Sequence, residues 1–410
     1  MRPTGRLHLG HYFGALSNWL KLQNSRLAEG APEYECFFFV ADWHALTTHY
    51  EDTSSVAENT LQVATDWLSV GLDPAKSTLF VQSSVLEHAE LHVLLSMITP
   101  LSWLERVPTY KEQIENLKDR DLGTYGFLGY PLLQSADIVI YGEPRKDLLV
   151  PVGEDQAPHV ELTREVVRRF NSNFSLQINP AIAREEKNQR LLDRVCEVVG
   201  FTPAKAKSSP LAPVLDPEFE RAVRTYVRGI GVENFHEKVG GAKRFFPCPP
   251  VLREPAYLPT ETPRLPGLDG RRMAKSYGNA LWLSDPPDEI RAKVRNMMTD
   301  PQRIRRTDPG RPEVCPVFAW HKLFSPADTV ARIDRDCRSA AVGCVDCKKE
   351  MAENLVRWIE PIQAKRREFE AEPKKVWEIL DAGSAAARKT ARRTMKRVRD
   401  AVFHWDEAKP

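Results

Sequence analysis

The sequence predicts an α/β protein built on a doubly wound parallel sheet, continued by an all-α C-terminal region. Two short apolar runs, 35–41 and 78–82, are too short for helices, and each is followed by a helical pattern. That alternation is what a parallel sheet with crossover helices requires. The third observation is a switch to almost unbroken helical periodicity from about residue 283. The 410 residues leave room for two or three domains, and 42% hydrophobic with 28% charged residues is an ordinary globular balance. No run has the apolar length of a bilayer span, and the start lacks a charged-then-apolar secretory pattern. No membrane association and a cytoplasmic location are therefore expected.

The chain opens with Gly5, His8, Gly10 and His11 inside eight residues. His8 and His11 are three apart and share a face of a helical turn. The two glycines let backbone approach a ligand without a β-carbon in the way. Apolar spacing from Tyr12 to Leu20 makes this segment the start of a helix, whose N-terminus suits phosphate. Taken alone, the segment reads equally well as a capped amphipathic helix.

The 35–41 run is a buried strand, and Asp42 and His44 follow it at the edge where such sheets bind ligands. A helix is expected over 53–70, a turn at 71–74, a strand over 78–82 and a helix over 88–98. A mostly apolar helix over 130–141 carries Tyr130, Gln134 and Asp137 on one face. Burying an uncompensated carboxylate there is costly, so Asp137 marks a surface position, a local cap or a polar specificity pocket. Residues 148–156 read as strand, tight turn and helix start, with Glu154 and Asp155 suited to the helix dipole.

From 172 to 262 the pattern loosens into helices over 188–199 and 216–229, a linker at 204–210 and a proline-rich segment at 246–250. This reads as an inserted subdomain without chemistry of its own. A glycine-bounded basic loop follows at 270–279, with Arg271, Arg272, Lys275 and Ser276. By itself it is most simply a solvated loop.

The net charge of +2 argues neither for nor against nucleic acid. Arg388, Lys389, Arg392, Arg393, Lys396, Arg397 and Arg399 nevertheless wrap one helix in positive charge, as a phosphate-contacting surface or a solvated face. Four of the seven cysteines, Cys315, Cys337, Cys344 and Cys347, crowd together, which favours metal over disulfides in a cytosolic chain. Four thiolates suit zinc or a 4Fe–4S cluster, and generic spacing alone favours zinc.

The His8-Leu9-Gly10-His11 segment and the Arg272-Met273-Ala274-Lys275-Ser276 segment together resemble the two signatures of class I aminoacyl-tRNA synthetases, H-I-G-H and K-M-S-K-S. The departures are Leu9, an arginine first and an alanine third; the key lysine and the final serine are kept. Residues 2–5, 40–47, 130–141, 150–156 and 159–164 are similar to bacterial tryptophanyl-tRNA synthetases, and the likeness covers nearly everything outside 172–262.

The resemblance implies a Rossmann-type catalytic domain over 1–171, the insertion over 172–262, the catalytic basic loop over 263–282 and a helical anticodon-binding domain over 283–410. It implies a homodimer whose partners are L-tryptophan, ATP with Mg2+, and tRNA(Trp). His8 and His11 would contact ATP phosphates and ribose near Gly10, alongside Arg2, Pro3 and Thr4. Lys275, with Arg272, Met273, Ala274 and Ser276, would follow charge moving onto pyrophosphate. Gly153, Glu154 and Asp155 match the family's adenosine-binding turn.

Asp137 suits the indole N–H, a donor without accepting capacity. Tyr130, Gln134, Gln156 and His44 would hold the amino and carboxylate ends of the amino acid. Tyrosyl-tRNA synthetases carry the same residue types on this helix, and a silent paralogue is the other alternative; the 150–156 segment favours the tryptophan enzymes. Some of these carry a C-terminal 4Fe–4S motif spaced almost as here, which turns the expectation for the four cysteines from zinc to iron–sulfur. The family also has a strand ending in serine-glycine before Arg2, so either a start upstream of Met1 or a shortened product is expected.

Overall fold

The computed structural model describes residues 1–108, 110, 123–202, 217–260 and 265–405, without the side chains of 183 and 184. The chain forms two compact units. The first comprises Met1–Ser84, Pro151–Glu154 and Pro259–Ala386, and the second Val85–Val150, Asp155–Leu258 and Ala387–Pro410.

In the first unit, strands β1 (Cys36–Val40) and β2 (Ser77–Val81) pair in parallel, with Cys36 opposite Ser77 and Val40 opposite Val81. The expected strands are there, the second displaced by one residue because Gln82 enters a short helical turn. The connection between them is the Val56–Val70 helix, ended by Gly71 at φ +107°, a left-handed conformation that a side chain would strain. Trp19 stacks on Phe38 at 4.5 Å between ring centres, and Trp67 is fully buried beneath them. Burial of side chains of this size stabilises by about 1.5–3 kcal/mol each. At the C-terminal ends of the strands, Asp42 Oδ1 accepts the N–H groups of Trp43 and Ser83, both at 3.0 Å.

After the basic loop the first unit is mainly helical. Its helices include Pro287–Arg295, Pro316–Phe324, Ala327–Arg338 and Cys344–Ala371. The Pro373–Phe403 helix supplies residues up to Ala386 to this unit and its remainder to the second.

The second unit carries the Glu87–Ser96, Tyr125–Val139 and Ala157–Phe174 helices. The Tyr125–Val139 helix starts five residues before the sequence pattern suggests, because Thr124 caps it: the Phe127 N–H donates to Thr124 Oγ1 at 3.2 Å. Leu148–Val152 and Pro255–Pro259 form a second two-stranded sheet. A separate apolar cluster, with Phe219, Phe235 and Phe246 at its centre, fills the region between Leu176 and Phe246. The proline-rich stretch lies outside any helix, and the expected linker at 204–210 lies outside the described residues. No helix among the described residues is long and apolar enough to cross a membrane.

Candidate active site

Backbone pairing brings the two motifs together inside the first unit. The Leu9 N–H donates to Leu281 O and the Leu283 N–H to Leu7 O, both at 2.9 Å, so His8 lies opposite Trp282 in an antiparallel bridge. Lys275, 271 positions from Thr4, donates from Nζ to the Thr4 carbonyl at 2.6 Å and to Thr4 Oγ1 at 3.3 Å. Its ammonium also sits 5.3 Å from the centre of the Trp282 ring. Burial lowers the Lys275 pKa, with Asp66 opposing and Arg6 adding to the shift.

The His8 and His11 rings lie tilted at 34° with centres 3.8 Å apart, and His11 Nδ1 accepts the His8 N–H at 3.2 Å. Their pKa values are pushed down to about 4 and about 3. Burial is the main cause for both; the nearby Lys275 charge contributes, and His8 acts on His11. Both rings are therefore neutral at pH 7. His8 is only 6% exposed, and its Nδ1 is buried with no hydrogen-bond partner among the described residues. Such an orphan is costly unless a ligand completes it. A β-carbon at Gly10 would stand 2.8 Å from His8 Nδ1, so the glycine is what lets the imidazole fold over the turn.

The helix that follows is not regular. A three-residue α-turn, Leu9–His11, runs into a π-helical turn, Tyr12–Leu16, before the α-helix Ser17–Asn24. Two features hold this bed in place that the sequence did not announce. Buried Asp66 accepts the Leu7 N–H at 2.9 Å through Oδ2 and pairs with buried Arg366 through Oδ1. Its pKa is raised to about 6, burial outweighing the Arg366 charge. Asn279 braces the basic loop: its Oδ1 accepts the Ala274 N–H at 2.9 Å, while Nδ2 donates to Asp269 Oδ1 at 2.7 Å and to the Arg272 carbonyl at 3.0 Å. Arg271 pairs with Asp269 at 2.6 Å. Met273 is buried, and Arg272 and Ser276 are exposed.

Strand Leu148–Val152 is followed by Gly153 and then a single helical turn, Glu154–Gln156. Gly153 and Glu154 belong to the first unit, Asp155 and Gln156 to the second, and Gln156 Nε2 donates to Asp155 Oδ2 at 3.2 Å. His44, buried, belongs to the first unit; Arg2 and Pro3 lie beside Thr4 in the same unit.

Tyr130, Gln134 and Asp137 share the Tyr125–Val139 helix in the second unit. Tyr130 is buried with its ring 5.6 Å from that of His159. Asp137 is 4% exposed, so it is neither a surface residue nor a terminal cap. Its Oδ1 lies 2.6 Å from Nδ1 of His88, whose Nε2 is 2.6 Å from the Tyr141 hydroxyl. Neither His88 nor Tyr141 stood out in the sequence, because nothing in local spacing joins residue 88 to residue 137.

The four clustered cysteines all carry free thiols and lie in the first unit. Cys315 precedes the Pro316–Phe324 helix, Cys337 closes Ala327–Arg338, and Cys344 and Cys347 form the first turn of Cys344–Ala371. Burial pushes the Cys347 thiol up to about 12, helped by Cys315, Cys337 and Cys344. The Cys337 thiol is raised by burial and by Cys315 and Cys344 against the Arg303 charge. The four groups are thus close enough to feel one another. Arg303 donates to Cys337 Sγ at 3.5 Å, and only a glycine at 310 leaves room for that sulfur. Among the described residues no three His, Cys, Asp or Glu side chains are drawn together closely enough to share one ion.

The cations of the basic C-terminal helix are largely paired. Arg388 and Arg392 both bind Glu87, Arg399 binds Glu90, Arg393 lies 3.6 Å from Glu143 and Lys396 binds Asp400. Arg397 donates to the Gly142 carbonyl at 2.9 Å. Much of the charge that suggested a phosphate surface is neutralised within the second unit.

Comparison with known proteins identifies the family. Residues 1–195 and 232–360 match the family described as tRNA synthetases class I (W and Y). A tryptophan–tRNA ligase of Ralstonia nicotianae is 46% identical, over 98% of this chain and 96% of its own length. One from Thermotoga maritima is 41% identical, over 98% and 97%. Among solved structures, tryptophanyl-tRNA synthetase from Campylobacter jejuni, complexed with ADP and tryptophan, superposes with a TM-score of 0.69 at 24% identity, covering 98% of this chain and 97% of that one, a likeness of fold.

Proposed function

The chain belongs to the class I tRNA synthetases of the W and Y family, and from that premise we infer that it performs the ATP-dependent attachment of tryptophan to tRNA. The observation that carries this reading is the Lys275–Thr4 contact, which joins the basic loop to the two-histidine motif. In the first step the tryptophan carboxylate attacks the α-phosphorus of Mg–ATP, forming tryptophanyl-adenylate and expelling pyrophosphate. In the second, a hydroxyl of the terminal tRNA ribose attacks the activated acyl carbon and AMP leaves.

Neither step needs a protein nucleophile, so the side chains act by positioning and by stabilising phosphate charge. Neutral His8 and His11 offer hydrogen bonds to ATP without placing further cations beside Lys275. Lys275 rests on a neutral carbonyl, a weaker partner than the pyrophosphate oxygens it would follow as their charge grows. Arg272 and Ser276 flank it, Arg2, Pro3 and Thr4 line the approach, and Gly153, Glu154 and Asp155 receive the adenosine. Asp137 accepts the indole N–H, while Tyr130, Gln134, Gln156 and His44 hold the amino and carboxylate groups. The functional partition follows the sequence: a catalytic domain over 1–171, an insertion over 172–262, the basic loop over 263–282 and a tRNA-reading helical domain over 283–410. A cytoplasmic homodimer is the working form.

Cys315, Cys337, Cys344 and Cys347 would hold a 4Fe–4S cluster. Four thiols are the donor type such a cluster takes, and Cys344 and Cys347 share the first turn of one helix, but among the described residues no three of these side chains converge closely enough to share one ion. Bound there, the cluster would cross-link the helices that read tRNA and take no part in either chemical step. Anaerobically purified protein is then expected to be brown, with iron and sulfide in equal amounts, and Cys344→Ser to impair tRNA charging more than pyrophosphate exchange. Colourless protein with one zinc would replace the cluster by zinc and leave the ligase reading standing. The ligase reading itself is tested by charging tRNA with labelled tryptophan: wild-type protein is expected to accumulate tryptophanyl-tRNA, and failure to do so with active tRNA contradicts it.

A further inference from the structure

The second unit contains a buried polar chain that the reaction as described does not use. Tyr141, His88 and Asp137 are linked end to end at 2.6 Å per contact, with His88 fully buried and Asp137 nearly so. A chain of this kind has a direction, fixed by which atoms can donate. An ionised carboxylate only accepts, so His88 Nδ1 carries the proton it shares with Asp137. Nε2 is engaged in turn by the Tyr141 hydroxyl. Burial, together with the Asp137 and Glu87 charges, holds the Tyr141 phenol far above its usual range, so that hydroxyl keeps its proton.

The chain also has a fixed base. His88 lies in the first turn of the Glu87–Ser96 helix, where neighbouring Glu87 is gripped by Arg388 and Arg392, and Glu90, a turn on, by Arg399. The histidine is therefore carried on an element anchored by three arginines, while its two ring nitrogens are both engaged.

We propose that His88 is a positioning residue for amino-acid selection: its Nδ1–H fixes the Asp137 carboxylate as an oriented, acceptor-only group, and that fixed acceptor is what distinguishes an indole N–H donor from a ring without one. The proposal rests on reading Asp137 as the indole acceptor. A carboxylate offers about four acceptor positions, so a bond to His88 leaves the group able to accept a second donor. What His88 supplies is orientation and protonation state. Without it, the carboxylate can rotate or take up a proton, and a protonated Asp137 could present a donor where the ligand also has only a donor.

The test compares tryptophan with 3-benzothienylalanine, in which sulfur replaces the indole N–H, as substrates for ATP–pyrophosphate exchange by the full chain. The readout is the ratio of their kcat/KM values. Overall loss of stability lowers both substrates together and leaves that ratio unchanged. His88→Leu is expected to reduce the preference for tryptophan by about tenfold or more, the scale of a hydrogen bond to a charged group. His88→Asn, whose amide nitrogen stands near the Nδ1 position, is expected to keep most of it. The KM for ATP is expected to stay within about twofold.

Asp137→Asn separates the two readings. If Asp137→Asn and His88→Leu both lose the preference, the proposal stands. If Asp137→Asn loses it and His88→Leu keeps it, the positioning role is overturned and the indole reading survives. If Asp137→Asn keeps it, the indole reading fails and this proposal fails with it. Should His88→Leu not fold, His88→Gln, with its donor near the Nε2 position, takes its place under the same two outcomes.

Discussion

Two basic stretches that look alike in the sequence differ in what their charges do. In the 388–399 segment of the C-terminal helix, Arg388, Arg392, Arg393, Lys396 and Arg399 each face a carboxylate, and Arg397 a backbone carbonyl. In the 270–279 loop Lys275 donates to the oxygens of Thr4 and lies over the Trp282 ring, with no carboxylate bonded to it among the described residues, and beside it the His8 ring keeps a nitrogen without a partner among them. The lesson is that a cation counts toward phosphate binding by what it is already paired with. Charge counted along a chain misses this, because the neutralising acids, Glu87, Glu90 and Glu143, lie some 250 to 310 residues away.

The largest contrast expected between the two regions is in stability. Arg366→Met removes the counter-charge of the buried Asp66 under the loop and is expected to cost about 3–5 kcal/mol in chemical denaturation. Arg392→Met in the helix breaks a pair whose arginine is 63% exposed, so the expected cost is within about 1 kcal/mol. Equal losses for the two variants would erase the distinction. In activity, Lys275→Ala is expected to lower kcat for pyrophosphate exchange by about 10²–10³-fold with little change in tryptophan KM. Arg392→Ala is expected to leave exchange within about twofold, and a large loss there would erase the distinction between the two stretches.

Acidity sharpens the comparison further. His8 and His11 have folded-state pKa values of about 4 and about 3 against 6.5 when unfolded. Between those limits the unfolded chain binds more protons, so their contribution to stability is present above pH 6.5 and is lost as pH falls toward 4. Denaturation midpoints measured from pH 7 down to 4.5 are expected to fall, with a shallower slope in His8→Gln, and the imidazole signals of both residues to titrate below pH 5. A modest effect is expected at Glu87. Glu87→Gln frees Arg388 and Arg392 and is expected to cost about 1 kcal/mol of stability, while steepening the salt dependence of tRNA binding.

Local patterns carried much of the fold. The runs around Phe38 and Leu79 form the parallel pair because continuous apolar residues suit a strand buried on both faces. The helix of Tyr130, Gln134 and Asp137 follows from its own spacing. Its early start at Thr124 was legible only as a cap, and the π-turn after His11 has no local signal. In the site, His8, His11 and Lys275 were readable as motif residues, whereas Asp66, Arg366, Asn279 and His88 were not. Asp66 and His88 act through partners held by tertiary structure, Asp66 with an arginine 300 residues on and His88 with an aspartate 49 residues on. Asn279 looked like the polar end of a loop and proves to be its brace.

The central claim is that the loop and the two-histidine motif serve tryptophan and not tyrosine, and one assay reaches it directly. ATP–pyrophosphate exchange is measured with each of the twenty amino acids in parallel, on the full chain with Mg–ATP. The account predicts that tryptophan alone stimulates exchange well above background. Stimulation by tyrosine with none by tryptophan would contradict it.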